Sequence, residues 1–148
     1  MPGYGKLFYH KASAAGEGMM NNADIRVLLV DDDEMIRDSV AAYLEDEGFS
    51  VYCAASGEEA LQVITAIHPA VCISDMRLSG MNGEEFIVTA HTFSPETGYL
   101  IHTGMMYCLS DELNAIGMSA DDVLLKPIHE LSKLVHKIKK CAATRRCR

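Results

Sequence analysis

Nowhere does the chain contain an apolar run approaching the roughly 18 residues of a membrane span, and its N-terminus lacks the apolar core of a secretory signal. Both absences point to a cytoplasmic protein that does not engage a membrane. Its five cysteines, Cys53, Cys72, Cys108, Cys141 and Cys147, form an odd set without a C-x-x-C pair, which argues against a disulfide framework or a structural zinc site. Cys53 and Cys72 then read as core thiols. His10, His68, His91, His129 and His136 have no metal-ligand spacing on one face and read as surface or packing residues. Internal repeats and a second domain are also missing. What is present, 148 residues at 49% apolar and 23% charged, is ordinary for one globular domain able to bury a real core.

The formal net charge of −8 hides an asymmetry. Residues 24–125 carry 19 acidic against 3 basic side chains, whereas residues 126–148 carry 8 basic against 1 acidic. A body this acidic repels a phosphate backbone, so no nucleic acid is expected to bind the domain, and only the basic C-terminal stretch has the charge to contribute. Three segments follow. Residues 1–23, rich in Gly, Ala, Ser and Asn and without periodicity, read as a flexible N-terminal arm or expression remnant, 24–141 as the folded domain and 142–148 as a basic tail.

Within the domain, short apolar runs alternate with helical periodicity. A strand over 25–30 leads to a helix with Ile36, Val40, Tyr43 and Leu44 on one face, closed by Gly48. Ser50–Ala54 is the second strand, followed by the capping box of Ser56 and Glu59 and a helix turning Ala60, Leu61, Ile64 and Ile67 inward. Val71–Ser74 precedes a Gly-rich loop through Gly83 and a helix carrying Phe86, Ala90 and Phe93; a fourth strand over 99–102 precedes a weaker helix over 111–116. Val123–Leu125 then runs through Lys126-Pro127 into a helix burying Ile128, Leu131, Val135 and Ile138, with Lys133, Lys137 and Lys140 outward. Five βα units of this spacing imply a parallel sheet with helices on both faces, because right-handed crossovers leave few other choices.

In such a sheet, ligands bind at the edge where the strands end. Each of four strands ends on a distinctive polar group: Asp31-Asp32-Asp33-Glu34 after the first, Asp75 after the third, Thr103-Gly104 after His102 in the fourth, and Lys126-Pro127 after the fifth. Acids at 33 and 34 suit a helix N-terminus. Asp31, Asp32 and Asp75 crowded together raise one another's pKa unless a divalent cation neutralises them, and oxygen-only ligands select Mg²⁺ or Mn²⁺. Thr103 and Lys126 add a hydroxyl and an ammonium for phosphoryl oxygens, and Asp75 is positioned as the nucleophile that forms an acyl phosphate. Met76, Met81, Met105 and Met106 around this edge read as packing.

With Val30-Asp31-Asp32-Asp33, Ile73-Ser74-Asp75-Met76-Arg77-Leu78, Met81-Asn82-Gly83, His102-Thr103-Gly104 and Ala120-Asp121-Asp122 leading to Leu125-Lys126-Pro127, the chain strongly resembles the receiver domain of two-component response regulators over 25–141. The resemblance implies an α/β, flavodoxin-like (βα)5 doubly wound fold with strand order 2-1-3-4-5. It implies a phosphoprotein rather than an enzyme: Asp75 takes a phosphoryl group from a sensor histidine kinase or histidine phosphotransfer protein, and partner binding switches in response. Asp31, Asp32, Asp75 and the backbone carbonyl of Arg77 would hold Mg²⁺. Thr103 and Lys126 would sense the phosphoryl group, self-association through the face from the fourth to the fifth helix would be possible, and the Lys126-Pro127 bond is often cis in the family.

Three departures matter. Ser79 stands where the family usually has Pro, which softens the Gly-rich loop. Val123 replaces the usual Tyr or Phe, the ring that swings inward on activation, and His102 replaces an apolar strand residue, to be accommodated either buried and hydrogen-bonded or tilted to the surface. Two other readings compete: a small Mg²⁺-dependent phosphatase with Asp31 as nucleophile, and a pseudo-receiver that docks partners without phosphorylation.

Overall fold

The computed structural model describes residues 21–105, 107–126 and 131–146. Strands β1 (Arg26–Val30), β2 (Ser50–Ala54), β3 (Val71–Ser74), β4 (Gly98–Thr103) and β5 (Val123–Leu125) alternate with helices α1 (Glu34–Asp46), α2 (Gly57–Ile67), α3 (Gly83–Phe93), α4 (Asp111–Ala115) and α5 (Leu131–Arg146). All pairings are parallel, in the order β2-β1-β3-β4-β5. This is the flavodoxin-like arrangement expected of the sequence.

The central strands β1 and β3 read as continuous apolar runs because both of their faces are covered. On one face Val27, Leu29, Val71, Ile73 and Leu100 meet Val40 and Leu44 of α1 and Leu134 and Ile138 of α5. On the other, Leu28, Val30, Cys72, Tyr99 and Ile101 meet Ala60 and Ile64 of α2, Phe86 and Ile87 of α3 and Leu113 of α4. Side chains thus alternate faces along each strand while both faces stay dry. Polar caps fix where helices start. Asp33, Ser56, Asn82 and Ser110 each accept a hydrogen bond from a backbone N–H of the first turn, and Asn82 with Glu85 completes a reciprocal capping box. α1 stops at Gly48, whose φ of +98° an L side chain rarely adopts.

Several boundaries and faces differ from expectation. Residues 21–23, expected within the N-terminal arm, are tied to the domain together with Asp24. Asn21 caps a single 3-10 turn over Asn22–Asp24, and the turn is tied to the domain by Asn22 donating to the Glu47 carbonyl at 2.7 Å and Ser50 donating to that of Ala23 at 2.8 Å. Such ties are side chain to backbone and leave no periodicity to read. At the other end α5 continues past residue 141, because Ala142, four positions after Ile138, returns to the same buried face. Leu134, which lies outside the face expected of α5, is fully buried, while Leu131 is half-buried. Phe93, expected inward, is 60% exposed because it ends α3 beyond the reach of the sheet. Ile128, the Lys126-Pro127 bond, Met106, His10, His129 and Cys147 lie outside the described residues.

Candidate functional site

The sheet register builds the site. Val30 and Ser74 are partners on neighbouring strands, so the residues that follow them, Asp31 and Asp75, leave the sheet side by side. Each is held by the backbone around it. The Asp31 N–H donates to the Ala54 carbonyl at 3.2 Å and the Asp75 N–H to the Val30 carbonyl at 2.9 Å. One carboxylate oxygen of each accepts from a backbone N–H two residues on, Asp33 to Asp31 at 2.9 Å and Arg77 to Asp75 at 3.2 Å. These local turns fix both carboxylates before any ligand arrives.

The other oxygen of each faces Lys126. Its Nζ donates to Asp31 Oδ2 at 2.8 Å and to Asp75 Oδ2 at 3.0 Å. Lys126 is held in turn by its own N–H donating to the Thr103 carbonyl at 2.7 Å. Burial pushes the Asp31 carboxyl above the ordinary carboxylate range, an effect that Lys126 and the Asp33 N–H offset only in part; the nearby charge of Asp75 is the smallest contribution. Mutual repulsion between carboxylates, which the sequence foregrounds, is therefore secondary to desolvation. Burial also works against the Lys126 ammonium, but the hydrogen bonds and charges of Asp31 and Asp75 together outweigh it and hold its pKa above the usual lysine value.

Asp32 is exposed at the rim, and its Oδ2 accepts from the Ser79 hydroxyl at 3.3 Å, so the residue standing in place of proline contributes a hydrogen bond. Oxygen atoms of Asp31, Asp32 and Asp75 lie within 4.8 Å of one another, close enough to share one cation. Thr103 is fully buried, and its hydroxyl has no hydrogen-bond partner among the described residues. Gly83 packs against the Asp75 carbonyl so closely that a Cβ there would overlap it. All five residues singled out in the sequence, Asp31, Asp32, Asp75, Thr103 and Lys126, thus meet at one edge, with the Arg77 backbone beside Asp75.

The strand order 2-1-3-4-5 with these groups at the strand ends agrees with the match that decides the family: the response regulator receiver domain matches residues 27–139. The chain belongs to the response regulator receiver family. Receiver-containing relatives include the cell cycle response regulator CtrA of Brucella ovis, 34% identical over 116 residues that make up 77% of this chain and 50% of CtrA. The chain therefore spans about half the length of the curated relatives it matches. Among solved receivers, a CheY-like domain from Methanospirillum hungatei JF-1 superposes with a TM-score of 0.71 at 31% identity, covering 82% of this chain and 96% of that one. The response regulator TrrA of Thermotoga maritima, solved in complex with Mg²⁺-BeF, superposes with a TM-score of 0.69 at 26% identity, covering 79% and 98%.

Further residues shape this receiver site, and of these only His102 was singled out from the sequence. Arg37 on α1 is buried at 4% exposure and donates from Nη1 to the Asp31 carbonyl at 2.7 Å, clamping the start of the acidic turn from below. His102 is buried rather than tilted outward, and its Nε2 has no hydrogen-bond partner among the described residues. Burial, reinforced by the Lys126 charge and opposed by Asp75, pushes the imidazole down to about 4, so it is neutral at physiological pH. Tyr107, half-buried, donates its hydroxyl to Glu84 on α3 at 2.8 Å. Among the described residues, no helix is long and apolar enough to cross a membrane.

Proposed function

We propose that this receiver accepts a phosphoryl group on Asp75 and converts it into a change of partner binding. The observation that carries the reading is Lys126 bridging Asp31 and Asp75 beside a fully buried Thr103 whose hydroxyl has no hydrogen-bond partner among the described residues. A buried hydroxyl without a hydrogen bond is costly unless the functional state supplies one, and a phosphoryl oxygen on Asp75 is the group within this site that would do so.

In the transfer, a carboxylate oxygen of Asp75 attacks the donor phosphorus. The phosphorus–nitrogen bond of a phosphohistidine breaks, and the imidazole leaves and takes up a proton. The donor is a sensor histidine kinase or a histidine phosphotransfer protein. Lys126 turns its ammonium from the carboxylates to the phosphoryl oxygens, stabilising charge that develops as the group moves. Thr103 donates its hydroxyl to the same oxygens once the group is in place.

The all-oxygen donor set of Asp31, Asp32 and Asp75, joined by the Arg77 carbonyl, fits a hard divalent cation such as Mg²⁺. When bound, that ion supplies positive charge next to the phosphoryl oxygens. The domain's own part is signalling rather than turnover of a substrate, carried out in the cytoplasm without nucleic acid, and self-association through the α4 to α5 face is a possible output.

Incubating the chain with acetyl phosphate and Mg²⁺ tests this by intact mass. One phosphoryl adduct is expected, absent from Asp75→Asn. An adduct retained by Asp75→Asn and mapped to Asp31 would overturn the assignment in favour of a phosphatase-like nucleophile, and no adduct at all would favour a phosphorylation-independent docking module.

A further inference from the structure

Val123 opens β5 opposite Ile101 of β4 and is only half-buried, so at this position the domain has no ring to report on Thr103. Tyr107, in the loop between β4 and α4, is an aromatic that shares this side of the sheet with Val123. Tyr107 and Val123 both pack on the cluster formed by Ile101, Leu113 and their neighbours. Tyr107 lies four positions after Thr103, and residues 107–110 form no regular structure.

The other end of the Tyr107 hydrogen bond is fixed. Glu84 lies in the first turn of α3, and that turn is anchored at the phosphoacceptor strand by the Gly83 N–H donating to the Met76 carbonyl at 2.9 Å and by the close approach of Gly83 to the Asp75 carbonyl. The Tyr107 hydroxyl to Glu84 Oε1 contact of 2.8 Å therefore ties the loop that follows Thr103 to the segment that follows Asp75. We propose that Tyr107 is a positioning residue: its hydrogen bond to Glu84 holds the loop, and with it Thr103, in the unphosphorylated arrangement, and the bond is released when Thr103 moves to the phosphoryl group.

This rests on the reading of Asp75 and Thr103 given above. The hydroxyl stays a donor throughout the useful pH range, because burial and then Glu84 push the phenol up to about 12, with Ser110 offsetting part of the rise. On this proposal the hydrogen bond belongs to the unphosphorylated arrangement alone. A bond present only in the free state opposes binding of anything that selects the other state.

The test uses the full chain with Mg²⁺ and beryllofluoride, by calorimetric titration. Tyr107→Phe keeps the ring and loses the donor, and Glu84→Ala loses the acceptor. Each should bind beryllofluoride about three- to tenfold more tightly than the parent, the range a single net hydrogen bond supports. The double variant should gain no more than either single one, and Glu84→Gln, which keeps an acceptor oxygen, should return most of the way to the parent. A general loosening of the fold would not produce this rescue. Equal affinity in parent, Tyr107→Phe and Glu84→Ala, or weaker binding in the variants, would overturn the proposal while leaving the phosphoacceptor reading intact. A parent that binds no beryllofluoride and takes no adduct from acetyl phosphate would overturn both.

Discussion

Replacing Lys126 by Met removes an ammonium that contacts both Asp31 and Asp75 while keeping the length of the side chain. The ion pairs are shielded: the side chains of Lys126, Asp31 and Asp75 are 13%, 3% and 9% exposed. Breaking a buried pair by deleting one partner costs about 3 to 5 kcal/mol because the other charge is left uncompensated. Two features lower that cost. The acidic rim at Asp32 opens to solvent, and Asp31, already pushed above the usual carboxylate range by burial, can take up a proton instead of remaining charged. A loss of about 2 to 3 kcal/mol follows at pH 7.5 without metal, or a melting temperature lower by roughly 10 °C for a domain of this size. The pH dependence has a definite sign. A carboxyl whose folded pKa is raised above its unfolded value penalises the fold only where it is ionised, so the gap between Lys126→Met and the parent should be widest at neutral pH and should shrink as pH falls toward about 4. Mg²⁺ at ten times its dissociation constant restores about 1.4 kcal/mol by mass action. Thermal melts of both proteins across pH, with and without Mg²⁺, measure all three effects. A variant that melts with the parent at pH 7.5 without metal, or a gap that does not change with pH, would refute the argument that Lys126 neutralises a desolvated carboxylate pair.

Asp32→Asn, which removes the exposed carboxylate that Lys126 does not reach, should melt without metal at or above the parent and lose Mg²⁺ binding; a clearly lower melt would count against a repulsive acidic rim. For His102 the folded pKa of about 4 lies below its ordinary value of 6.5. The parent should therefore lose about 3 kcal/mol as pH falls from 6.5 to 4, a slope that urea titrations should find missing in His102→Val. Amide exchange with beryllofluoride should change most over 103–107 and along α4, and only weakly around Lys133, Lys137 and Lys140, because Val123 cannot transmit the movement of Thr103 as a ring does; equal changes along α5 would show another route.

The strand ends were legible because each apolar run stops abruptly at a charged residue, β1 and β3 being buried on both faces and β5 only partly so. Val30 to Asp31, Ser74 to Asp75 and Leu125 to Lys126 are such stops, and they fall where the structure ends the strands. What was not legible depends on reach across the fold. Phe93 has an apolar side chain at a helical period, yet it ends α3 past the sheet and stays exposed. Arg37 looks like any surface arginine, and only the path of α1 under the acidic turn explains its burial. The pairing of Tyr107 with Glu84 spans 23 residues and two loops, and carries no local signature. His102 could be placed on a strand but not weighed as buried or exposed, because that depends on α1 and α5 closing over the strand.

The position of Lys126 in the chain follows from the same geometry. Asp31 and Asp75 end neighbouring strands, so their carboxylates meet across one strand spacing of about 4.8 Å. A cation able to bridge them cannot come from β1 or β3 without displacing one of the acids, and residues 24–125 contain no lysine. It comes from the end of β5, with β4 between it and β3 and roughly two strand spacings to cross. A long, flexible side chain with a compact charge makes that crossing, and it does so anchored by its own N–H on the carbonyl of Thr103. On the function proposed above, the two groups that meet the phosphoryl oxygens are thereby joined through backbone, so a shift of Thr103 toward Asp75 would act directly on the tether of Lys126.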